Sequence, residues 1–159
     1  MHRILQIIRI IFLCMALFHS EQNPENAPVD YFPFQMPDGY AMIGESEGSR
    51  SIVDSNGAAV GGLILTDLTP EELLGINEIG VYLDSIDKTS EFFAWVGGTS
   101  LNPIKYVSHF IYDADSQERI EFYRVLFVRN SLVYDMWFDT RQISKDSISS
   151  FFYIAEKSD

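Results

Sequence analysis

Apolar and polar positions follow two rhythms along this chain, and the switches between them set out its elements. Tyr40 to Glu45, Arg50 to Asp54 and Ala59 to Thr66 are short runs of strand-forming composition separated by turn residues. Pro37-Asp38-Gly39 leads into the first run. Ser55-Asn56-Gly57, which tolerates positive φ, joins the second to the third as a tight hairpin. The rhythm then becomes helical. Thr69-Pro70-Glu71-Glu72 combines a capping threonine, a proline at the first helical position and a glutamate able to reach back to the cap. Ile79, Tyr82, Leu83 and Ile86 form an apolar stripe at i, i+3, i+4, i+7 spacing, with Gly75 and Gly80 as expected breaks. Ser90 is read as the cap of a short helical turn through Phe92, Phe93 and Val96, ended by Gly97-Gly98.

Period two returns in three longer runs, Lys105 to Tyr112, Arg119 to Val128 and Leu132 to Phe138. The joins between them, Asp113 to Glu118 and Arg129-Asn130-Ser131, are short enough to require antiparallel hairpins. In the last run Leu132, Tyr134, Met136 and Phe138 share one face. Val133, Asp135, Trp137 and Asp139 share the other, whose mixed composition predicts partial exposure. Ser144 caps a closing helix with Ile148, Phe151, Phe152 and Ala155 along one side, and Ile143 against Ile148 makes a hydrophobic staple. The expected fold class is α+β, an antiparallel sheet of about six strands packed by helices.

Ahead of this domain, Arg3 and Arg9 accompany an unbroken apolar run from Ile10 to Phe18. That length suits a signal peptide or short membrane anchor better than a comfortable spanning helix. Residues 1–20 are therefore assigned to a signal peptide or anchor, the polar, proline-bearing residues 21–33 to a linker, and residues 34–159 to one domain. The chain is expected outside the cytoplasm, secreted or anchored. All 23 acids but only 9 of the 11 basic residues follow Ser20, so 9 minus 23 leaves that part at −14. Nucleic acid and anionic lipid surfaces are poor partners for such a charge.

The same stretch removes most catalytic chemistry. Cys14 is the only cysteine and lies in the apolar run, and of the three histidines only His109 follows Ser20. Cysteine nucleophiles, cysteine-bound zinc and histidine-rich metal sites are thereby unavailable to the domain. No catalytic residue, metal ligand or cofactor is assigned. Paired carboxylates remain the one acid-base option, but Asp135 and Asp139 lie about 13 Å apart along a strand, too far for glycoside cleavage. Asp113-Ala-Asp115-Ser-Gln-Glu118 lacks the central glycine and the length of a calcium loop and reads as a solvated turn.

The Pro-Asp-Gly-Tyr opening at 37–40, the helical crossover, the Glu-Phe-Tyr-Arg-Val-Leu-Phe-Val strand at 121–128 and the Val-Tyr-Asp-Met-Trp-Phe-Asp run at 133–139 resemble the PsbP/Mog1-like fold over about residues 34–156. The last run also resembles small uncharacterised exported proteins of Gram-positive bacteria and tails beside BlaR-type sensor peptidases. The PsbP/Mog1 resemblance implies a sandwich of sheet and helices that serves as a docking domain.

Aromatic residues supply the remaining lead. Tyr31, Phe32 and Phe34 sit at the linker boundary, Phe92, Phe93 and Trp95 crowd one short stretch, and Trp137 stands opposite the expected core face. The expected site is a binding surface of Asp135, Trp137, Asp139 and Trp95, serving a non-enzymatic binding or sensory domain whose partner is another protein at the membrane or cell surface. The alternative is an extracellular acid-base hydrolase using paired carboxylates.

Overall fold

The computed structural model describes residues 31–44, 48–88, 91–98, 103–113, 116 and 118–156. The apolar run, Cys14 and the linker up to Asp30 lie outside the described residues. Seven strands form one antiparallel sheet: β1 (Tyr40–Ile43), β2 (Ser49–Asp54), β3 (Ala59–Leu65), β4 (Glu91–Gly98), β5 (Pro103–Tyr112), β6 (Arg119–Arg129) and β7 (Leu132–Asp139). Their spatial order is β1, β2, β3, β7, β6, β5, β4. Local chemistry makes the hairpins. The Asp54 carboxylate accepts from the backbone N–H of Asn56 and Ala58, both at 2.9 Å, while Gly57 takes φ 79°. Between β6 and β7, Asn130 and Ser131 both adopt positive φ, the backbone of a two-residue type I′ turn, so Arg129 pairs directly with Leu132.

The capping box at Thr69 forms as the sequence implies. Thr69 N–H donates to Glu72 Oε2 at 2.7 Å, and Glu72 N–H donates to Thr69 Oγ1 at 3.2 Å. It opens only a single 3₁₀ turn, Glu72–Leu74, that stops at Gly75. The crossover helix α1 follows at Ile76–Ile86 and runs through Gly80, contrary to the expected break there. The closing helix is two short pieces, α2 (Lys145–Ser149) and α3 (Phe152–Glu156), the first capped by Ser144 Oγ accepting from Ser147 N–H.

The sheet has seven strands because residues 91–98 are a strand and not a helical turn. Phe92, Phe93 and Trp95 favour a pleated backbone, and the chain entering from α1 meets the free edge of β5, where eight consecutive residues pair in register. Two apolar clusters lie on opposite faces of the strands. Val125, Phe127, Tyr134 and Met136 join Phe32, Phe34, Ile148 and Phe151 on one face, whereas Leu126, Val133 and Val107 meet Ile79 and Leu83 of α1 on the other. Phe32 and Phe34 pack edge-on against Tyr134, and Tyr134 OH donates to the Tyr31 carbonyl at 2.8 Å. The residues from Tyr31 to Pro33 that the sequence pattern gave to the linker thus contribute a core side chain, Phe32.

Candidate functional site

β7 is the central strand, with β3 on one side and β6 on the other, and α1 covers the face that carries its odd-numbered residues. That placement overturns the exposed face expected there. Asp135 is 0% exposed and Asp139 is 9% exposed. Trp137 is half-buried, its indole resting on the backbone of Gly62 in the neighbouring strand and its ring edge-on to Phe122. A middle strand buried on both faces accommodates polar residues when they bring their own partners.

Those partners form a chain of buried hydrogen bonds. Asp135 Oδ2 accepts from the guanidinium Nη1 of Arg124 and from the Tyr82 hydroxyl on α1, the latter at 2.7 Å. Arg124 Nε donates to His109 Nδ1 at 3.1 Å, which places the imidazole proton on Nε2. Burial, then the positive charge of Arg124, depresses the His109 pKa to about 4, so the ring is neutral. Desolvation, reinforced by the negative charge of Asp135, pushes the Tyr82 phenol well above its usual range. Asp139 is separate. Burial pushes its carboxyl up, and hydrogen bonds from Arg141, at 2.9 and 2.5 Å, more than reverse this and leave it below the usual range. Each β7 carboxylate is thus committed to an arginine, and Asp135 is beyond the reach of a solute.

Trp95 lies elsewhere. Register places it in one row with Tyr106, Val125 and Met136, on the face opposite Asp135 and Trp137. The four residues expected to form one surface are therefore not brought together. Trp95 is 44% exposed, stacks on Tyr106 at 6.1 Å and meets Tyr123 edge-on at 5.7 Å. Tyr123 in turn stacks on Phe152 of α3. Phe93, 63% exposed and two residues before Trp95 on β4, packs edge-on against Phe110. Arg119 lies 3.7 Å above the Phe110 ring and bonds Glu91 at 3.3 Å. An aromatic surface whose rings pack on one another therefore runs along an edge strand. The repeat of aromatic residues at 93 and 95 was the signal in the sequence, and reading those positions as helical hid it.

A hollow of about 400 Å³ beside α1 is lined in part by Asp67, Glu72, Glu78 and Tyr82. Glu72 is engaged there in the capping box, and no group of three metal-binding side chains occurs among the described residues. No described helix is long and apolar enough to cross a membrane. The chain matches no family model and no curated protein.

Proposed function

We propose that this chain is an exported or membrane-tethered, non-enzymatic binding domain that docks a protein partner along the edge of β4. The observation that carries the reading is Phe93 and Trp95 standing exposed beside a sheet edge that pairs on one side only among the described residues. Extended segments add to such edges by main-chain hydrogen bonds, and alternate side chains set specificity. Exposed aromatic side chains braced by neighbours suit the anchoring role, because little rotamer freedom remains to be lost. Arg3, Arg9 and the apolar run from Ile10 to Phe18 support export or tethering. The helical crossover between β3 and β4 and the apolar clusters on both sheet faces support a PsbP/Mog1-like sandwich. The commitment of Asp135 and Asp139 to arginines weighs against the hydrolase alternative.

The test is a full-length chain carrying Phe93→Lys and Trp95→Lys, extracted in mild detergent and run on a native gel. The reading expects a chain that remains folded and extracytoplasmic but migrates without the larger complex formed by the unsubstituted protein. An unchanged complex from the substituted chain would remove the β4 edge as the docking surface.

A further inference from the structure

The two faces of the sheet are held by different chemistry. Among the described residues, the face that carries Val125, Phe127 and Met136 belongs to a cluster of sixteen buried apolar residues, closed by Phe32, Phe34 and the two terminal helices. The face under α1 has six: Leu73, Ile79, Leu83, Val107, Leu126 and Val133. All five buried polar or charged side chains among the described residues, Lys105, His109, Arg124, Asp135 and Asp139, share that second face. Register puts them there, with Lys105 and Asp135 opposite Leu126, Arg124 opposite Val107, and His109 and Asp139 opposite Phe122. His109 Nε2 and Asp135 Oδ1 are buried without a hydrogen-bond partner among the described residues. A small apolar cluster together with orphaned polar atoms makes this the weaker face. The Tyr82 hydroxyl ties α1 to the polar group at Asp135.

From this asymmetry we infer that α1 and the 3₁₀ turn before it form an acid-released cover: protonation of His109 lifts them from the sheet while the opposite core keeps the strands together. The imidazole geometry supplies the trigger. His109 Nδ1 accepts from Arg124 Nε at 3.1 Å, so a proton on that nitrogen sets donor against donor and a second positive charge beside the guanidinium. The carboxylates of β7 are committed elsewhere, Asp135 to Arg124 and Tyr82 and Asp139 to Arg141. Farther along β5, Lys105 adds another positive charge and donates to the Leu74 carbonyl at 3.3 Å. β4 turns the uncharged Phe92 and Ala94 to this face. At the end of α1, Asp87 favours the charged ring but is outweighed by burial and Arg124, and the other acids of the helix, Glu78 and Asp84, are exposed. His109 stands directly opposite Phe92, whose ring reaches Gly80 of α1, so the imidazole lies beneath that helix. A solvated imidazole takes its proton near pH 6.5, and acid therefore favours the state that gives His109 to water. Release bares Val107, Leu126 and Val133.

Thiols placed on the two faces test this in the full chain with Cys14→Ser, held in mild detergent. Val107→Cys lies beneath α1 and Val125→Cys in the opposite core, both at fully buried positions. Each is labelled with a pyridyl disulfide, which reacts with thiols in acid as well as at neutral pH, and each rate is taken relative to that of the urea-unfolded chain at the same pH. Between about pH 7 and about pH 4.5 the relative rate at Val107→Cys should rise at least about tenfold, with no such rise at Val125→Cys. Adding His109→Asn to Val107→Cys should abolish the rise, with His109→Gln in its place if circular dichroism at neutral pH shows the first variant unfolded. Equal acceleration at both positions means global unfolding and overturns the cover, as does acceleration at neither. A rise that survives replacement of His109 overturns that residue as the trigger.

Discussion

Arg124 on β6 and Asp135 on β7 form an ion pair with 5% and 0% of their side chains exposed, at the middle of the sheet beneath α1. Their strands place them diagonally, since Asp135 lies opposite Leu126 and Arg124 opposite Trp137. Removing either partner leaves a charge buried without compensation. Asp135→Ala or Arg124→Ala is expected to cost about 3–5 kcal/mol in chemical denaturation. Replacing both with apolar residues of similar volume should recover most of that loss, and a double-mutant cycle reads the coupling directly. Tyr82→Phe, which removes one of the two donors to Asp135, should cost about 1 kcal/mol.

Acid should destabilise the domain through His109. Its pKa in the fold, about 4, lies below the unfolded value of about 6.5, so the unfolded chain binds a proton that the fold refuses. The contribution of neutral His109 is fully present above pH 6.5 and is lost as pH falls toward 4, a decrease of about 1–3 kcal/mol. Asp139, with its carboxyl depressed, adds a further loss at lower pH as it protonates and releases Arg141. His109→Asn keeps an acceptor near the Nδ1 position and should flatten the slope between pH 6.5 and 4 in thermal melts while leaving the fold intact.

Trp137 is half-buried within the sheet, and its replacement is expected to read out as stability. The indole covers Gly62, where an added Cβ would stand 2.8 Å from the ring nitrogen, and it packs on Phe122. Trp137→Ala is expected to cost about 3 kcal/mol, the lower end of the range for a deleted core aromatic because the ring is half-buried. Gly62→Ala should be destabilising in its own right, and less so when combined with a smaller residue at 137.

Replacing the edge aromatics should leave the fold nearly untouched. Phe93→Ala removes a ring that is mostly in solvent, so a change within about 0.5 kcal/mol is expected. Trp95→Ala loses its stacking on Tyr106 and should cost about 1 kcal/mol. Melting curves of the two variants beside Trp137→Ala check the contrast between the two tryptophans.

Much of the fold was legible because it is written locally. Turn residues at 55–57, the reciprocal cap at Thr69 and Glu72, the Ser144 cap and the period-two runs after residue 105 each carry their own signal. The strand at 91–98 was not legible, because Phe-Phe-Ala-Trp-Val has no polar alternation and only the free edge of β5 decides its conformation. Partners for Asp135 were hidden for a related reason: its proximity to Arg124 and Tyr82 depends on the register of β6 and on the path of α1, neither of which a single strand reveals. Reading the odd face of β7 as exposed assumed a sheet covered on one side, and this sheet is covered there by α1 as well.

The central claim, that β4 is a docking edge, is tested most directly by placing a photo-activatable benzoylphenylalanine at position 93 in the full-length chain and irradiating intact cells. The account predicts a discrete protein adduct from position 93 and none from the same group at the exposed Val81. Adducts from position 81 and none from position 93 would contradict it.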